Sequence, residues 1–557
     1  MRRNVPWSLV LACAVGLLAA WPYFANPGLP AGTDVELHVF RTAELGYSLR
    51  AGAVYPRWAP DFYHGYGYPI FNYYAPLTYY LSYLLSLARP EAAAVGVRLA
   101  LILAQVLGAV GAYRLGTLFG RRGGGLLGAL AFSFSPYVQL INPHVRGAVA
   151  ESVALAFLPW ALWTWEVLWR RGGRAIVPAV VATSAVFLSH NLTGLSCVGL
   201  VAGLGIFHMA SGDRRRMRSA ALAALVFVLL TAFFWLPFVV ERSAIKLNVA
   251  GDGHYDYRNH FVSWHELLAW LEPIDRRAAS APIPMSAGPA SLAVAVAGVV
   301  IGVVRSQRMK GIVFYGLAAL GLLWLVTPGS QMIWEYVPGL HYYQFPWRFL
   351  GPVSACLVPL VSTLGSPWCR MPDRRRSGVL GARVLIAVSA SLVLLVPGLV
   401  GLYPLPWTPG FDAIRPLDVI RAELSGRWRG TTSTNDFVPA TVLMIPGPQQ
   451  SVLESYEHPP VDRVNRATLP SGTQVRVVPD KPWVNTFLVS SSSQFVLRLY
   501  LFDFPGWRAS IDGQDAPITI ANPEGFVTVT VPAGDHEVVV RFGATPVRRL
   551  AWILSGM

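Results

Sequence analysis

The sequence is poor in charge. Of its 557 residues only 13% are Asp, Glu, Lys or Arg, while 54% are hydrophobic and the mean hydropathy is +0.44. A typical soluble domain carries about 25% charged residues. A water-soluble globule of this length would lack the polar surface to cover itself. A disordered chain is excluded as well, because such chains are poor in apolar residues. Lysine is scarcer still: Lys246, Lys310 and Lys481 are the three lysines among 45 basic residues, and many of the arginines stand in tight clusters between apolar runs. The net charge of +15 is therefore read as basic residues retained on one side of a membrane rather than as a nucleic-acid surface. Of the four cysteines, Cys13, Cys197 and Cys356 lie in apolar runs and Cys369 in an Arg-rich loop, so no disulfide framework is indicated. P-loop, GxGxxG, HExxH and GxSxG motifs are missing, and no internal repeat is visible. The Met1–Arg2–Arg3 start imitates a signal peptide, but Trp21, Pro22 and Tyr23 stand where small cleavage-site residues belong. The first run is thus read as an uncleaved helix.

What is present is a series of apolar runs. A spanning helix needs about 20 mostly apolar residues, and the runs that meet or approach this are 7–25, 98–119, 124–142, 149–169, 175–189, 193–209, 219–241, 289–305, 312–327, 347–364 and 384–403. With the N-terminus in the cytoplasm, each inner turn receives a cluster: Arg2/Arg3, Arg121/Arg122, Arg170/Arg171/Arg174, Arg214–Arg216 with Arg218, Arg305/Arg308/Lys310, and Arg370/Arg374/Arg375/Arg376. This parity predicts a polytopic α-helical membrane protein of about eleven spans in the inner or plasma membrane. The stretch 74–88 would invert every later loop if it crossed. Its tyrosines (Tyr73, Tyr74, Tyr79, Tyr80, Tyr83) suit a membrane interface, so it is read as an interfacial or re-entrant helix in an outer loop, 26–97. The same loop carries an amphipathic helix near 34–50, with Val35, Leu37, Val39, Phe40, Leu45 and Leu49 on its apolar face. Residues 405–545 are polar, and Phe495–Phe502, Trp507–Asp512 and Phe526–Val531 read as strands with turns at Gly513 and Ala533–Gly534. They predict an extracytoplasmic β-sandwich after a transmembrane domain at 1–404, followed by a short apolar tail at 546–557.

Polar residues gather at the outer ends of the spans: Asp34, Glu36 and His38; His144, Arg146 and Glu151; His190; His341, Gln344 and Arg348. Span middles carry no Asp, Glu, Lys or Arg. Ion-coupled transporters usually place such residues near the midplane. A site at the outer face suits chemistry on a lipid head group. Each candidate also has a plain structural reading. Thr33–Asp34–Val35–Glu36 fits a capping box, in which Glu36 reaches the Thr33 amide and Asp34 favours the helix dipole. His38, four residues on, shares a helix face with Asp34 and otherwise faces head groups. Arg146 and Glu151 make an ordinary ion pair. Arg348 is a snorkelling anchor or a forked clamp for phosphate. His254-x-Asp256 and His260-x4-His265 are weak as metal-ligand spacings.

Several stretches then resemble a known family. Gly32–Thr–Asp34 leading a helix in a long outer loop resembles the GT-C superfamily of membrane glycosyltransferases. Tyr55–Pro–Arg–Trp58 with Gly65–Tyr–Gly–Tyr–Pro69 and Asn72–Tyr–Tyr–Ala–Pro76, Ser189–His–Asn–Leu–Thr193, and Gln344–Phe–Pro–Trp–Arg348 resemble the bacterial 6-pyruvoyl-tetrahydropterin synthase-related membrane proteins and their YfhO-type relatives. Gly430–Thr–Thr–Ser433, Phe437–Val–Pro439, and Pro505–Gly–Trp507 through Val531–Pro–Ala–Gly534 look like the YfhO-type outer domain. The resemblance implies transfer of a sugar from a polyprenyl-phosphate donor to a cell-envelope glycan, lipid or protein acceptor outside the cytoplasm. It places a catalytic acid at Asp34 and a second at Glu151. His38, His144, Arg146, His190, His341, Gln344 and Arg348 then surround the substrate. The family's paired acids are incomplete, because Val35 separates Asp34 from Glu36. No residue is assigned to a metal, and a divalent ion is left open. A flippase or transporter of lipid-linked sugars, and a non-catalytic scaffold with a glycan-binding outer domain, are the competing readings.

Overall fold

The computed structural model describes residues 7–212, 214–247, 255–272, 284–304, 309–365, 376–404, 407–408, 410–426, 430–432 and 435–556. Arg2, Arg3, His254, Arg305, Arg308, Cys369, Arg370, Arg374, Arg375 and Ser433 lie outside these residues. The chain divides into two compact units. The first comprises Met1–Glu36, Val97–Val228 and Val249–Phe411, and the second Leu37–Gly96, Leu229–Asn248 and Asp412–Met557.

The first unit is helical. Its core surrounds Leu350–Ser362, a helix buried at every residue, as an element apolar on all sides must be. Against it pack Pro289–Val304, Met309–Val326 and Val149–Arg171, the last being followed by Ile176–Ser189 and Asn191–Ala210. The runs 98–119 and 124–142 fall largely in one helical segment, Ala93–Ser133, that reverses at Gly120 and at Arg121, whose φ is +56°. Glycines let the two arms touch: a Cβ on Gly116 would come within 3.0 Å of the Gly125 Cα, and one on Gly128 within 3.3 Å of the Ala112 carbonyl. Five described helices are long and apolar enough to cross a bilayer, or up to seven if each bent pair counts as one span. Shorter apolar helices cover Trp7–Ala19, Gly173–Ser189 and Pro289–Gly302.

The second unit holds the strands β1 (Gln474–Val478), β2 (Val484–Ser491), β3 (Phe495–Phe502), β4 (Trp507–Ile511), β5 (Gln514–Ala516), β6 (Ile518–Ala521), β7 (Phe526–Val531) and β8 (Gly534–Phe542). They form two antiparallel sheets, ordered β1-β2-β8-β4-β5 and β3-β7-β6. Asp512 and Gly513, both at positive φ, make the two-residue turn between β4 and β5, as Asp-Gly does in tight hairpins. The described strands begin at 474, and β3, β4 and β7 coincide with the three expected from the sequence. The preceding segment instead supplies the helices Pro416–Leu424 and Gln450–Glu457.

Two expectations for loop 26–97 change. The helix Val35–Arg50 does not show one apolar and one exposed face: Arg41, Thr42, Glu44 and Ser48 are as buried as Val39, Phe40 and Leu45. Its polar groups find partners inside the protein, as burial demands: Arg41 Nη1 donates to the Tyr79 hydroxyl (3.0 Å) and Thr42 Oγ1 to the His38 carbonyl (2.8 Å). The tyrosines expected at a membrane interface are likewise largely interior. Tyr73 stacks on Phe437 (5.6 Å between centroids) and donates to the Glu241 carbonyl, and Tyr79 is fully buried. The helix in that stretch is Leu77–Leu85, nine residues. At about 1.5 Å per residue it is less than half the bilayer core in length. The tail 546–557 contains a helix, Pro546–Leu554, whose Arg548 is buried in an ion pair with Glu241 (2.9 Å).

Candidate functional site

The first unit brings together five of the residues expected at the outer ends of the spans: Asp34, Arg146, Glu151, His190 and Arg348. The scaffold is an unusual segment, Tyr137–Arg146, wound as a π-helix with Pro143 inside it and closed by Gly147 at φ +69°. Wide turns of this kind recur at functional sites. They change which side chains share a face. Here the Arg146 guanidinium donates through Nη1 to Glu151 Oε2 (2.6 Å), Asn142 Oδ1 (2.6 Å) and the Tyr137 hydroxyl (3.2 Å). The Tyr137 hydroxyl in turn donates to Glu151 Oε1 (2.7 Å). Trp347 closes the other side, its ring centroid 4.6 Å from the guanidinium carbon. Glu151 is 1% exposed and has both oxygens engaged. It is a charge partner that fixes Arg146, not an acid facing open space.

The Asp34 segment is laid against this node by backbone contact. The Asp34 amide donates to the Arg146 carbonyl (2.7 Å) and the Thr33 hydroxyl to the same oxygen (3.0 Å). The Thr33 amide donates to the Val145 carbonyl (3.4 Å), so the group that a capping box would offer Glu36 is used here to bind the turn. Glycine is required on both sides of the contact. A Cβ on Gly32 would lie 2.4 Å from the Gly147 nitrogen, and one on Gly147 would lie 2.7 Å from the Val35 nitrogen. The Asp34 carboxylate is half-buried and, among the described residues, has no hydrogen-bond or ion-pair partner, yet it lies within electrostatic reach of Arg146.

Arg348 and His190 complete the group, since both act electrostatically on Glu151. Arg348 Nη1 donates to the Tyr343 carbonyl (2.8 Å), and its guanidinium lies over the Phe345 ring. It follows a turn in which Gln344 adopts φ +59°, a conformation sparsely used by residues other than glycine. His190 caps the helix Asn191–Ala210, its Nδ1 lying 2.9 Å from the Thr193 hydroxyl.

Other expected residues lie apart from this arrangement. His144 is an aromatic packing group, stacked on Tyr23 (5.0 Å) and edge-on to Trp407 (5.5 Å), and neither of its ring nitrogens has a partner among the described residues. His341 packs on Tyr342 (4.3 Å). His38 belongs to the second unit, where its Nδ1 lies 3.0 Å from the Tyr79 hydroxyl. Tyr137, Asn142 and Trp347 were not anticipated. Tyr137 stands nine residues before Arg146, a spacing that α-helical periodicity does not group, whereas Asn142 stands four residues before it and had no charge to draw notice.

Among the described residues no three His, Cys, Asp or Glu side chains are grouped to hold a metal. At Asp34 the neighbouring charge is already positive, and Glu151 offers no free oxygen.

The fold is thus that of a multi-pass helical membrane protein with an appended pair of antiparallel sheets. Its candidate site joins an open carboxylate to a fixed guanidinium. The chain belongs to the 6-pyruvoyl-tetrahydropterin synthase related family of membrane proteins, whose profile matches residues 71–400. No curated protein matches it in sequence. Among solved structures it is similar to the oligosaccharyltransferase of Archaeoglobus fulgidus (12% identity, TM-score 0.45, 72% of this chain and 56% of that one). Others are the arabinofuranosyltransferase AftD from Mycobacteria (17%, 0.46, 96% and 40%) and ArnT from Cupriavidus metallidurans bound to undecaprenyl phosphate (14%, 0.40, 68% and 63%). The chain spans little more than half the length of the first of these.

Proposed function

We propose that the chain is a membrane glycosyltransferase of GT-C type that moves a sugar from a polyprenyl-phosphate donor to an acceptor outside the cytoplasm. The observation that carries this reading is the unpartnered Asp34 carboxylate beside the Arg146 guanidinium, itself fixed by Glu151, Tyr137, Asn142 and Trp347. Glycosyl transfer needs both groups: a base for the acceptor proton and positive charge for the leaving phosphate. In the proposed step Asp34 takes the proton of an acceptor hydroxyl as its oxygen bonds to the anomeric carbon. The bond from that carbon to the phosphate oxygen breaks, and its electron pair stays on the phosphate. Arg146 and Arg348 face that charge. Glu151, expected as a second acid, is proposed as the positioning residue for Arg146.

The arginine parity supports an N-terminus in the cytoplasm, eleven spans in the inner or plasma membrane, and an extracytoplasmic β-domain. The experiment is a screen of purified full-length protein with labelled polyprenyl-phosphate sugars. Transfer from at least one donor is expected, and it should survive chelation of divalent ions. A protein that binds such donors but moves them across vesicles without transfer would overturn the reading.

A further inference from the structure

A second site lies in the β-bearing unit. A cleft of about 520 Å³ opens at its surface between the starts of β2 and β4, the end of β8, and the helix Pro546–Leu554. Its lining is strongly basic: Lys481, Arg508, Arg541 and Arg549 surround it against one acid, Asp480. That acid is already occupied, accepting from the Lys481 amide (2.7 Å) and the Thr486 hydroxyl (3.4 Å).

The arrangement works against the sheet that carries it. Arg541 on β8 stands directly opposite Arg508 on β4, and like charges in such cross-strand pairs are destabilising. Both side chains are exposed, and neither has an ion-pair partner among the described residues. Guanidinium groups placed so are suited to phosphate, which they hold through forked hydrogen bonds. Trp483 lines the same cleft, with the Lys481 ammonium 6.0 Å from its ring centroid.

The helix that brings Arg549 identifies the source of the phosphate. Its inward face carries Arg548, buried and paired with Glu241, while Leu550, Ile553 and Leu554 point outward, Ile553 being 72% exposed. This inverts the pattern of a helix on a soluble protein. The helix packs on Ala232–Val240, an apolar helix whose Val239 and Val240 are also exposed. A soluble anion would need the cations alone. Exposed aliphatic residues next to arginines and a tryptophan are the composition of a helix lying in a membrane surface.

We infer that this cleft binds the phosphate of an anionic phospholipid headgroup, with Leu550, Ile553 and Leu554 set among the acyl chains. The inference does not depend on which reaction the first unit performs. Its test is binding of fluorescent phosphatidylglycerol to the full-length protein in neutral detergent, with phosphatidylcholine and inorganic pyrophosphate as competitors. Unlabelled phosphatidylglycerol should displace the probe and phosphatidylcholine should not. Each basic residue near an anionic surface contributes on the order of 1 kcal/mol, so R508Q/R541Q should weaken binding by about thirtyfold. L550S/I553S should weaken it too; neither variant should lower the Tm, because the altered side chains are exposed, and R508Q/R541Q, which relieves the like-charge pair, should hold or raise it. The inference is overturned if R508Q/R541Q retains wild-type affinity or if phosphatidylcholine competes equally. It is also overturned if pyrophosphate displaces the probe as well as the lipid does while L550S/I553S binds normally, which would mark a site for soluble phosphate.

Discussion

Each unit buries an arginine–glutamate pair, and the two pairs are built to different ends. In the second unit Arg548 donates through Nε to Glu241 Oε2 (3.0 Å), and Glu241 also accepts from the Thr545 hydroxyl (2.6 Å) and the Asn72 amide (3.0 Å). Three segments distant in sequence are fastened together there, and every oxygen of the acid is filled. The first unit's pair, Arg146–Glu151, is as tightly satisfied but has an additional acid, Asp34, held beside it by backbone contacts and left without a partner. A buried ion pair is weak evidence of function by itself. The open carboxylate next to the fixed cation is what separates a site from a staple.

The strongest break of the comparison is to neutralise one charge in each unit. Asp34→Asn keeps size and leaves the backbone contacts with Val145 and Arg146 in place, so the Tm should hold while turnover falls by about 10²–10⁴-fold. Equal turnover in the two proteins would make Asp34 a helix-start residue. Arg548→Met should do the reverse. It leaves Glu241 buried without its cation, which costs about 3–5 kcal/mol of stability, read as a lowered Tm in detergent. An unchanged melt would show that Thr545 and Asn72 suffice for Glu241.

How much of this was legible in the sequence follows from how local each signal is. The apolar runs and their arginine parity are one-dimensional, and each expected run overlaps described helix. Asp34, Arg146 and Glu151 stand out because polar residues at the end of an apolar run are rare. Their joining through Tyr137, nine residues before Arg146, was hidden by the π-helical winding, which breaks the 3.6-residue rule used to group side chains. The helix Val35–Arg50 was misjudged for another reason. Its polar residues look solvent-facing until the partner segment is known, and Arg41 is bonded to Thr431, 390 positions away. Strands β1, β2 and β8 were not read from the sequence, because polar composition alone does not separate loops from strands.

A smaller effect tests whether another buried acid of the second unit resembles Glu241. Glu423 accepts from the Tyr63 and Gly430 amides (2.9 Å each) and from the His64 amide. Those bonds favour its charged form, but burial outweighs them and pushes its carboxyl from 4.5 up to about 7. A raised carboxyl binds its proton more tightly in the folded state. Stability should therefore be greatest below about pH 4.5 and fall as pH rises to about 7, by about 3 kcal/mol across the window. Glu44 and Asp61, also raised by burial and each facing the other, with Arg463 and Tyr456 against them, slope in the same sense. Replacing Glu423 by Gln should flatten the fall in Tm between these pH values. An identical pH profile would mean that Glu44 and Asp61 carry it.

The smallest effect lies at the surface of the β-domain, where an acid and a cationic partner meet in water. His536 Nδ1 lies 2.7 Å from Asp512 Oδ2 at the hairpin turn. That hydrogen bond raises the histidine above its ordinary value and lowers the aspartate. Because the histidine is raised on folding, its contribution is complete below pH 6.5 and is lost as pH climbs through the folded value. Exposed pairs of this kind are screened and weak. Asp512→Asn should therefore lower the His536 pKa, read by NMR titration of the imidazole, while leaving the Tm nearly unchanged. Asp512 sits at φ +51°, a conformation that asparagine tolerates well, so the turn itself should survive. If the melting temperature fell as far as in Arg548→Met, exposure would not be what distinguishes this pair from the buried staple.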